Sequence, residues 1–173
     1  MRQRNCGTVW WITGLSGSGK TIVSRLVRER LLDAGHPAFL LDGDTMRGIL
    51  DQTAAHTLED RRRLAFVYSR FAREIASQGI DVVCATISMF HEVRQWNREQ
   101  MPNYREIYLR VPLAELESRD PRGIYRRGRP QATPNVVGLD VPFEEPSAPD
   151  LVIDNYGGVN PAEAASRIVS LCQ

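Results

Sequence analysis

A glycine-rich string that ends in lysine and threonine, GLSGSGKT at residues 14–21, contains the residue types that bind a polyphosphate. The string satisfies G-x-x-x-x-G-K-[ST] in full, and it lies between a strand-like apolar run and a segment of helical periodicity. Its glycines let successive backbone N–H groups turn toward one anion, and the following helix adds a partial positive charge. The sequence therefore predicts a nucleotide-binding loop made of Gly14, Ser16, Gly17, Ser18, Gly19, Lys20 and Thr21.

Lys20 is the only lysine in the chain, and it stands where a compact ammonium is chemically wanted. Its ammonium is predicted to reach the β and γ phosphates of ATP, which makes Lys20 a candidate catalytic residue. The Thr21 hydroxyl is predicted to bind Mg²⁺, which bridges phosphate oxygens during transfer. ATP and Mg²⁺ are thus the expected cofactors, and the alternative of a chance glycine turn is disfavoured by the flanking pattern.

A second motif, LDGDTMR at residues 41–47, follows the second predicted strand. Ligands bind at the carboxyl ends of strands in open α/β sheets. An acceptor alcohol needs a carboxylate that orients it and takes its proton, and Asp44 is the candidate for this role. Asp42 and Arg47 are expected to bind the acceptor beside it. The competing interpretation is that Asp44 only caps the next helix.

Two other classes of nucleotide-binding protein fit the sequence poorly. A GTPase needs an N-K-x-D string, which a chain with one lysine at position 20 does not contain. AAA-type ATPases carry an apolar strand that ends in paired acids, whereas the strand at 80–87 ends in ATI and is followed by Ser88. The residues favour a small kinase.

The elements that must position these motifs alternate between apolar runs and helical segments, as in a three-layer α/β sandwich with a parallel sheet. Strands are predicted near 8–13, 38–42, 80–87, 105–111 and 150–154. The first helix is predicted to run from the glycine loop to about Ala34, with one face marked by Ile22, Leu26, Leu31 and Leu32. Another is predicted over 58–78, with Leu64, Phe71 and Ile75 at helical spacing.

The irregular segment at 119–142, rich in Arg, Gly and Pro, is too long for a simple connection and is predicted to be a mobile lid. A solvated surface loop is the alternative. Arg119 at its start is a candidate neighbour of the ATP adenine.

Composition limits the remaining possibilities. A chain of 173 residues fits one domain, 1–173, and its net charge of +1 with dispersed arginines argues against a nucleic-acid partner. The apolar run VWWIT is too short to span a membrane. Three widely separated cysteines, Cys6, Cys84 and Cys172, favour a reduced, cytoplasmic protein.

Three further residues are candidate ligands with a structural alternative. Arg61 is the best candidate for another anion ligand, whereas Arg62 and Arg63 are expected to be solvated. Ser88 would donate to a phosphate or cap a helix, and Phe90 would stack on a base or pack in the core.

The strings WITGLSGSGKT, LLDGDTMR, EDR at 59–61, ISMF at 87–90 and SRDPRGIYRRGR resemble adenylylsulfate kinases over almost the whole chain. The resemblance implies a five-stranded P-loop fold, a homodimer, and transfer of the γ-phosphate of MgATP to the ribose 3′-hydroxyl of adenosine 5′-phosphosulfate. It also implies that Asp44 orients the acceptor and that the remaining substrate contacts come from Arg47, Arg61, Ile87, Ser88 and the lid residue Arg122.

The departures from this family fall on acceptor contacts. Leu64 and Phe66 stand where the family has Asn and Arg in DRxxNIRR, and Val136 stands where a phenylalanine stacks on the acceptor adenine. Met89 replaces a proline. The strings ATISMF, EVRQWNRE, NVVGLDVPFEEP and PDLVIDN resemble the branch that acts on cytidine diphosphoramidate in capsule biosynthesis.

The preferred hypothesis is therefore a 3′-kinase for cytidine diphosphoramidate, with adenylylsulfate as the alternative acceptor. Two other hypotheses stay open: a catalytically weak nucleotide-binding regulator, and a kinase for a sugar acid or shikimate-like acceptor. The intact Lys20, Thr21, Asp44 and lid arginines disfavour the regulator, and the string DGDTMR disfavours the sugar-acid kinase.

Overall fold

A five-stranded parallel sheet forms the centre of the computed structural model, which describes residues 6–50, 57–87, 90–120, 123–125 and 136–172. The strands lie in the order β2-β3-β1-β4-β5, and every neighbouring pair is parallel. Their bounds are β1 Val9–Thr13, β2 Ala38–Asp42, β3 Asp81–Ala85, β4 Tyr104–Arg110 and β5 Leu151–Asp154. The predicted α/β sandwich with a parallel sheet is confirmed.

Helices connect the strands as the alternating sequence pattern indicates. They are α1 Lys20–Asp33, α2 Gly43–Ile49, α3 Leu58–Ser77, α4 His91–Gln100, α5 Leu113–Arg119 and α6 Pro161–Val169. A capping pair starts α3, because the Thr57 hydroxyl accepts from the N–H of Asp60 and donates to its carboxylate. The first and third helices end within one residue of their predicted ends.

The two adjacent tryptophans of β1 show how both faces of the sheet are covered. Successive side chains of a strand point to opposite faces. Trp11 packs in one cluster with residues of α3 and α4, and Trp10 packs in another with residues of α1 and α6. Both indole rings are fully buried. The strand that carries the glycine loop is thus fixed from both sides.

The buried face of α1 agrees with the predicted one only in part, because Leu31 is buried and Leu26 packs partly against the same cluster, whereas the other two predicted residues do not. Ile22 and Leu32 are 57% and 42% exposed, while Val23, Val27 and Leu31 face the sheet. Val23, Val27 and Leu31 are spaced four residues apart and therefore share one helix face. This face starts at Val23, one residue after Ile22, where the predicted face started. The exposed Ile22 instead lines the cleft that is described below.

A buried ion network fixes the segment that precedes β5. Arg94 and Glu106 form an ion pair at 3.1 Å, with each side chain only 4% exposed. Arg98 joins Glu106 at 2.8 Å and Asp150 at 3.3 Å. Burial lowers the pKa of Arg94 and raises that of Glu106, as expected when charges leave water. This network gives a structural role to arginines of the EVRQWNRE string.

Within the described part of the chain, no helix has the length and apolar character needed to cross a membrane.

Candidate active site

A cleft of about 280 Å³ opens at the carboxyl edge of the sheet, where β1, β2 and β3 end. It is lined by the glycine loop, the DGD turn, the residues after β3 and the chain after α5: Ser16, Gly17, Gly19, Lys20, Thr21, Ile22, Asp42, Gly43, Asp44, Arg47, Ala85, Thr86, Ile87, Asp120, Ile124 and Tyr125. Asp42 and Ile12 both pair with Ala85 in the sheet, so the ends of the three strands lie side by side. The structure therefore brings the two predicted motifs to one cleft.

Two glycines of the loop occupy positions where a side chain would not fit. A Cβ at Gly14 would lie 2.6 Å from the Leu109 carbonyl oxygen and 2.7 Å from Ser18 Oγ. Gly19 has φ 89°, in the left-handed region, and immediately precedes α1. Both positions therefore require glycine, as expected for a phosphate-binding loop that leads into a helix.

Lys20 and Thr21, the first residues of α1, carry the polar side chains of the loop. The Lys20 ammonium donates to the Leu15 carbonyl at 2.6 Å and approaches Ser18 Oγ at 3.4 Å. The Thr21 hydroxyl donates to Asp42 Oδ2 at 3.2 Å. The Thr21 hydroxyl and the Asp42 carboxylate are thus in contact, and both residues line the cleft together with Lys20.

The two aspartates of the DGD turn have different roles. Asp42 is the N-cap of α2, because its Oδ1 accepts from the N–H groups of Asp44 at 3.0 Å and Thr45 at 3.2 Å. The interpretation of Asp44 as a helix cap is therefore wrong. Asp44 forms an ion pair with Arg47, and its side chain is 47% exposed in the cleft. The Asp44 carboxylate therefore lines the cleft while it is paired with Arg47.

Tyr68 of α3 forms a hydrogen bond with the backbone of the DGD turn. Its hydroxyl donates to the Gly43 carbonyl at 3.1 Å, and the residue is 3% exposed. Burial raises the pKa of Tyr68 to about 12, so the hydroxyl keeps its proton at physiological pH. The turn that presents Asp44 is thereby tied to the long helix α3.

Arg61 lies close enough to Arg47 for the two positive charges to repel each other. Burial and then the charge of Arg47 lower the pKa of Arg61. An anion bound between them would relieve this repulsion, which is the behaviour expected of an anion site. The neighbouring Arg62 instead joins Glu59 at 2.9 Å and Glu92 at 3.2 Å, and so links α3 to α4.

The other predicted acceptor residues are divided between the cleft and packed clusters. Ile87 lines the cleft. Phe90 is 9% exposed in the cluster that contains Trp11, and Val136 is 6% exposed in a third cluster with Leu15 of the glycine loop. The structure therefore places Phe90 and Val136 in packed surroundings. Ser88 and Arg122 lie outside the described residues.

Leu64 and Phe66, the two residues of α3 that differ from the family string DRxxNIRR, also lie in packed surroundings. Leu64 is 8% exposed in the cluster with Trp11. Phe66 meets Trp96 of α4 edge to face, with ring centroids 6.1 Å apart. Among the described residues, neither Leu64 nor Phe66 lines the cleft.

Residues after α5 contribute to the cleft and were missed as site residues. The buried Asp120 carboxylate accepts from the N–H groups of Ile124 at 2.7 Å and Tyr125 at 3.2 Å. The Tyr125 hydroxyl donates to the Ser16 carbonyl at 2.7 Å. Burial raises the pKa of Tyr125 to about 12 and keeps it a donor. Asp120 and Tyr125 both lie in the SRDPRGIYRRGR string, but the string alone does not indicate that they lie beside the glycine loop.

The predicted lid, 119–142, is described only in part, since 121–122 and 126–135 lie outside the described residues. Residues 136–141 form a turn in which Val136 and Val137 are buried. Arg119, at the other end, donates to the Asn155 carbonyl at 3.0 Å and pairs with Glu115 at 2.9 Å.

The sequence comparisons agree with this geometry. A family model described as adenylylsulphate kinase matches residues 6–154. The chain is 38% identical over 166 residues to a cytidine diphosphoramidate kinase of Campylobacter jejuni, with 96% of each protein covered. It is 35% identical over 156 residues to a probable adenylyl-sulfate kinase of Bacillus subtilis, covering 89% of this chain and 79% of that protein.

A solved structure agrees as well. The Mycobacterium tuberculosis APS kinase CysC, in complex with AMPPNP and APS, superposes with a TM-score of 0.88 at 32% identity, covering 98% of this chain and 99% of that chain. The glycine loop and DGD turn share one cleft, and both lie within the residues that the family model matches. The chain therefore belongs to the adenylylsulphate kinase family and is a phosphotransferase that uses an alcohol group as acceptor.

Proposed function

We propose that this kinase transfers the γ-phosphate of ATP to the ribose 3′-hydroxyl of a small modified nucleotide, with cytidine diphosphoramidate as the preferred acceptor. The observation that carries the proposal is the shared cleft. The glycine loop with Lys20 and the DGD turn with Asp44 and Arg47 line the same cleft. A phosphate donor and an alcohol acceptor would meet between them.

On the donor side, backbone N–H groups of the loop and the start of α1 would bind the phosphates of ATP. The Lys20 ammonium would leave the Leu15 carbonyl for the β and γ phosphates. Thr21 Oγ1 and the nearby Asp42 carboxylate are hard oxygen donors that suit Mg²⁺, with phosphates and water as further ligands. When bound, Mg²⁺ offsets the negative charge on the phosphate oxygens.

On the acceptor side, Asp44 would accept a hydrogen bond from the 3′-hydroxyl and then its proton. The 3′-oxygen forms a bond to the γ-phosphorus while the bond from that phosphorus to the β-γ bridging oxygen breaks, and ADP leaves. Arg47 and Arg61 would bind the anionic part of the acceptor. Arg47 lines the cleft, and its charge contributes to the lowered pKa of Arg61, so the two cations are near each other.

The preference for a cytidine acceptor has two supports. The Campylobacter jejuni relative that covers 96% of this chain is a cytidine diphosphoramidate kinase. Val136 stands where adenylylsulfate kinases typically have an adenine-stacking phenylalanine, and Leu64 and Phe66, which pack outside the described cleft, replace an asparagine and an arginine. Loss of an aromatic partner disfavours an adenine acceptor.

Adenylylsulfate is the second candidate acceptor. The Bacillus subtilis relative is 35% identical, and the Mycobacterium tuberculosis structure contains APS at 32% identity. A catalytically weak regulator is less well supported, because Lys20, Thr21 and Asp44 all line the cleft.

The proposal extends to the setting of the enzyme. It would act in the cytoplasm in capsule biosynthesis, as a single domain with 119–142 as a lid over both substrates. A homodimer would cover some of the apolar side chains that one chain exposes, such as Ile49 at 70% and Leu58 at 51%.

The test is a coupled ADP-release assay with MgATP and each of the two acceptors, compared by kcat/KM. We expect a higher kcat/KM for cytidine diphosphoramidate, with background ADP release in the absence of acceptor as the control. A higher value for adenylylsulfate would contradict the cytidine assignment and leave the three apolar replacements as tolerated variation. No stimulation by either compound would exclude both acceptors.

A further inference from the structure

Asn155, the first residue after β5, connects four elements at the back of the glycine loop. Its side-chain Nδ2 donates to the Ser18 carbonyl at 2.8 Å. Its backbone N–H donates to the Arg110 carbonyl at the end of β4 at 3.0 Å, and its carbonyl accepts from Arg119 at 3.0 Å. The residue is only 6% exposed.

The bond to Ser18 determines how the next peptide faces. In a trans peptide the C=O and the following N–H point in opposite directions. Because Asn155 binds the Ser18 carbonyl behind the loop, the N–H of Gly19 is directed away from Asn155. Gly19 itself lines the cleft, and an N–H directed away from Asn155 at this position would face the predicted phosphate site.

The fit between the loop and the amide is tight. A Cβ placed on Gly19 would lie 2.7 Å from Asn155 Nδ2. The contact therefore requires glycine on one side and a donor of this length on the other. A carboxylate at position 155 has the same shape, but it would place an oxygen acceptor against the Ser18 carbonyl with no proton between them.

We propose that Asn155 is a positioning residue of the phosphate site, which fixes the Ser18–Gly19 peptide so that its N–H faces the terminal phosphates of a nucleotide. This inference rests on the nucleotide site of the proposed function. It assigns Asn155 to the phosphates rather than to the base, although the residue lies over 130 positions from the loop in sequence.

The test compares ADP with inorganic tripolyphosphate, which contains phosphates and no base. Dissociation constants of both ligands are measured by calorimetry for the unmodified chain, Asn155→Ala and Asn155→Asp. We expect both variants to weaken both ligands by similar factors, roughly tenfold, because one buried hydrogen bond that orders the site is lost. The KM of the acceptor should change less than twofold.

Asn160 provides the matched control, since it lies in the same connection between β5 and α6. Its side chain only caps α6, by accepting from the N–H of Ala162 at 2.9 Å. Asn160→Ala should lower the Tm and leave both dissociation constants unchanged. If Asn155→Ala does not fold, the nearly isosteric Asn155→Asp carries the same prediction.

Two results would overturn the inference: weaker ADP binding with unchanged tripolyphosphate binding, which would assign Asn155 to the base, or no change in either ligand. Failure of the unmodified chain to bind ADP at all would instead refute the proposed nucleotide site. The identity of the acceptor does not enter these measurements, so an error there leaves this test intact.

Discussion

The two sides of the cleft are built in different ways. The donor side is a consecutive loop, 14–21, whose shape depends on glycines and on hydrogen bonds to its carbonyls from Tyr125 and Asn155. The side proposed for the acceptor depends on side chains from two helices: Asp44 and Arg47 of α2 line the cleft, and Arg61 of α3, which is not among the described lining residues, lies within electrostatic range of Arg47. A site made by main chain admits few substitutions, whereas a site made by side chains changes its ligand when one side chain changes.

The charged groups on the two sides of the cleft also have different partners. On the donor side, the Lys20 ammonium is bonded to a carbonyl of its own loop. On the acceptor side, Arg47 and Arg61 repel each other, and Arg47 also pairs with Asp44.

The largest expected effect separates the chemistry of the two sides. Asp44→Asn should lower kcat about a thousandfold, because the amide cannot accept the proton of the 3′-hydroxyl, while the dissociation constant of ADP stays within twofold. Steady-state kinetics and calorimetry give the two quantities. Asp33→Asn, which neutralises an exposed carboxylate at the end of α1, is the matched control.

Near-normal kcat for Asp44→Asn would remove Asp44 from the catalytic role. Much weaker ADP binding would show that Asp44 also serves the donor side, and the division of the cleft into two sides would then be wrong.

A smaller effect is expected for acceptor binding. Arg61→Ala should raise the KM of the acceptor roughly tenfold through loss of a charged hydrogen bond, and the KM of ATP should not change. Relief of the repulsion on Arg47 limits the loss. Arg62→Ala is the control, because Arg62 is engaged by Glu59 and Glu92. Equal effects of the two substitutions on acceptor KM would remove Arg61 from the anion site.

The sequence predicted the strands well because their signal is local. A run such as VWWIT is buried on both faces, and its composition shows this directly. The strand at 80–87 was predicted too long, because Thr86 and Ile87 continue the apolar run past Ala85 into the cleft. On α1, the apolar character of Ile22 and Leu32 did not reveal that both are exposed, since orientation depends on the sheet beneath.

Among the residues of the cleft, the sequence located those that lie in short motifs. Lys20, Thr21, Asp44 and Arg47 belong to short strings whose spacing alone places them at strand ends. Tyr125 and Asn155 were not predictable, because their bonds to the glycine loop join residues 109 and 137 positions apart. Such contacts arise only when the sheet order places β4 beside β1 and β5 beside β4.

The smallest expected effect tests whether the support of the donor side is specific to Asn155. Its neighbour Asp154 forms a two-bond ion pair with Arg110, at 2.6 and 2.9 Å, with both side chains about half exposed. The hydrogen bond from Arg110 lowers the pKa of Asp154. Since the folded-state pKa is lowered, the pair stabilises the protein above the unfolded-state pKa of about 3.9 and loses this contribution as the pH falls through the folded-state value.

Asp154→Asn should therefore lower the free energy of unfolding at pH 7 only slightly, since solvent screens an exposed pair. Urea titrations should show this difference shrinking from pH 7 toward pH 3, and Arg110→Gln in the Asp154→Asn background should add little further loss. The dissociation constant of ADP should not change, because the Asp154 side chain bonds to Arg110 at the end of β4, whereas the Asn155 side chain bonds to the glycine loop. A tenfold weaker ADP complex in Asp154→Asn would mean that the whole β5 end, ion pair included, holds the glycine loop in place.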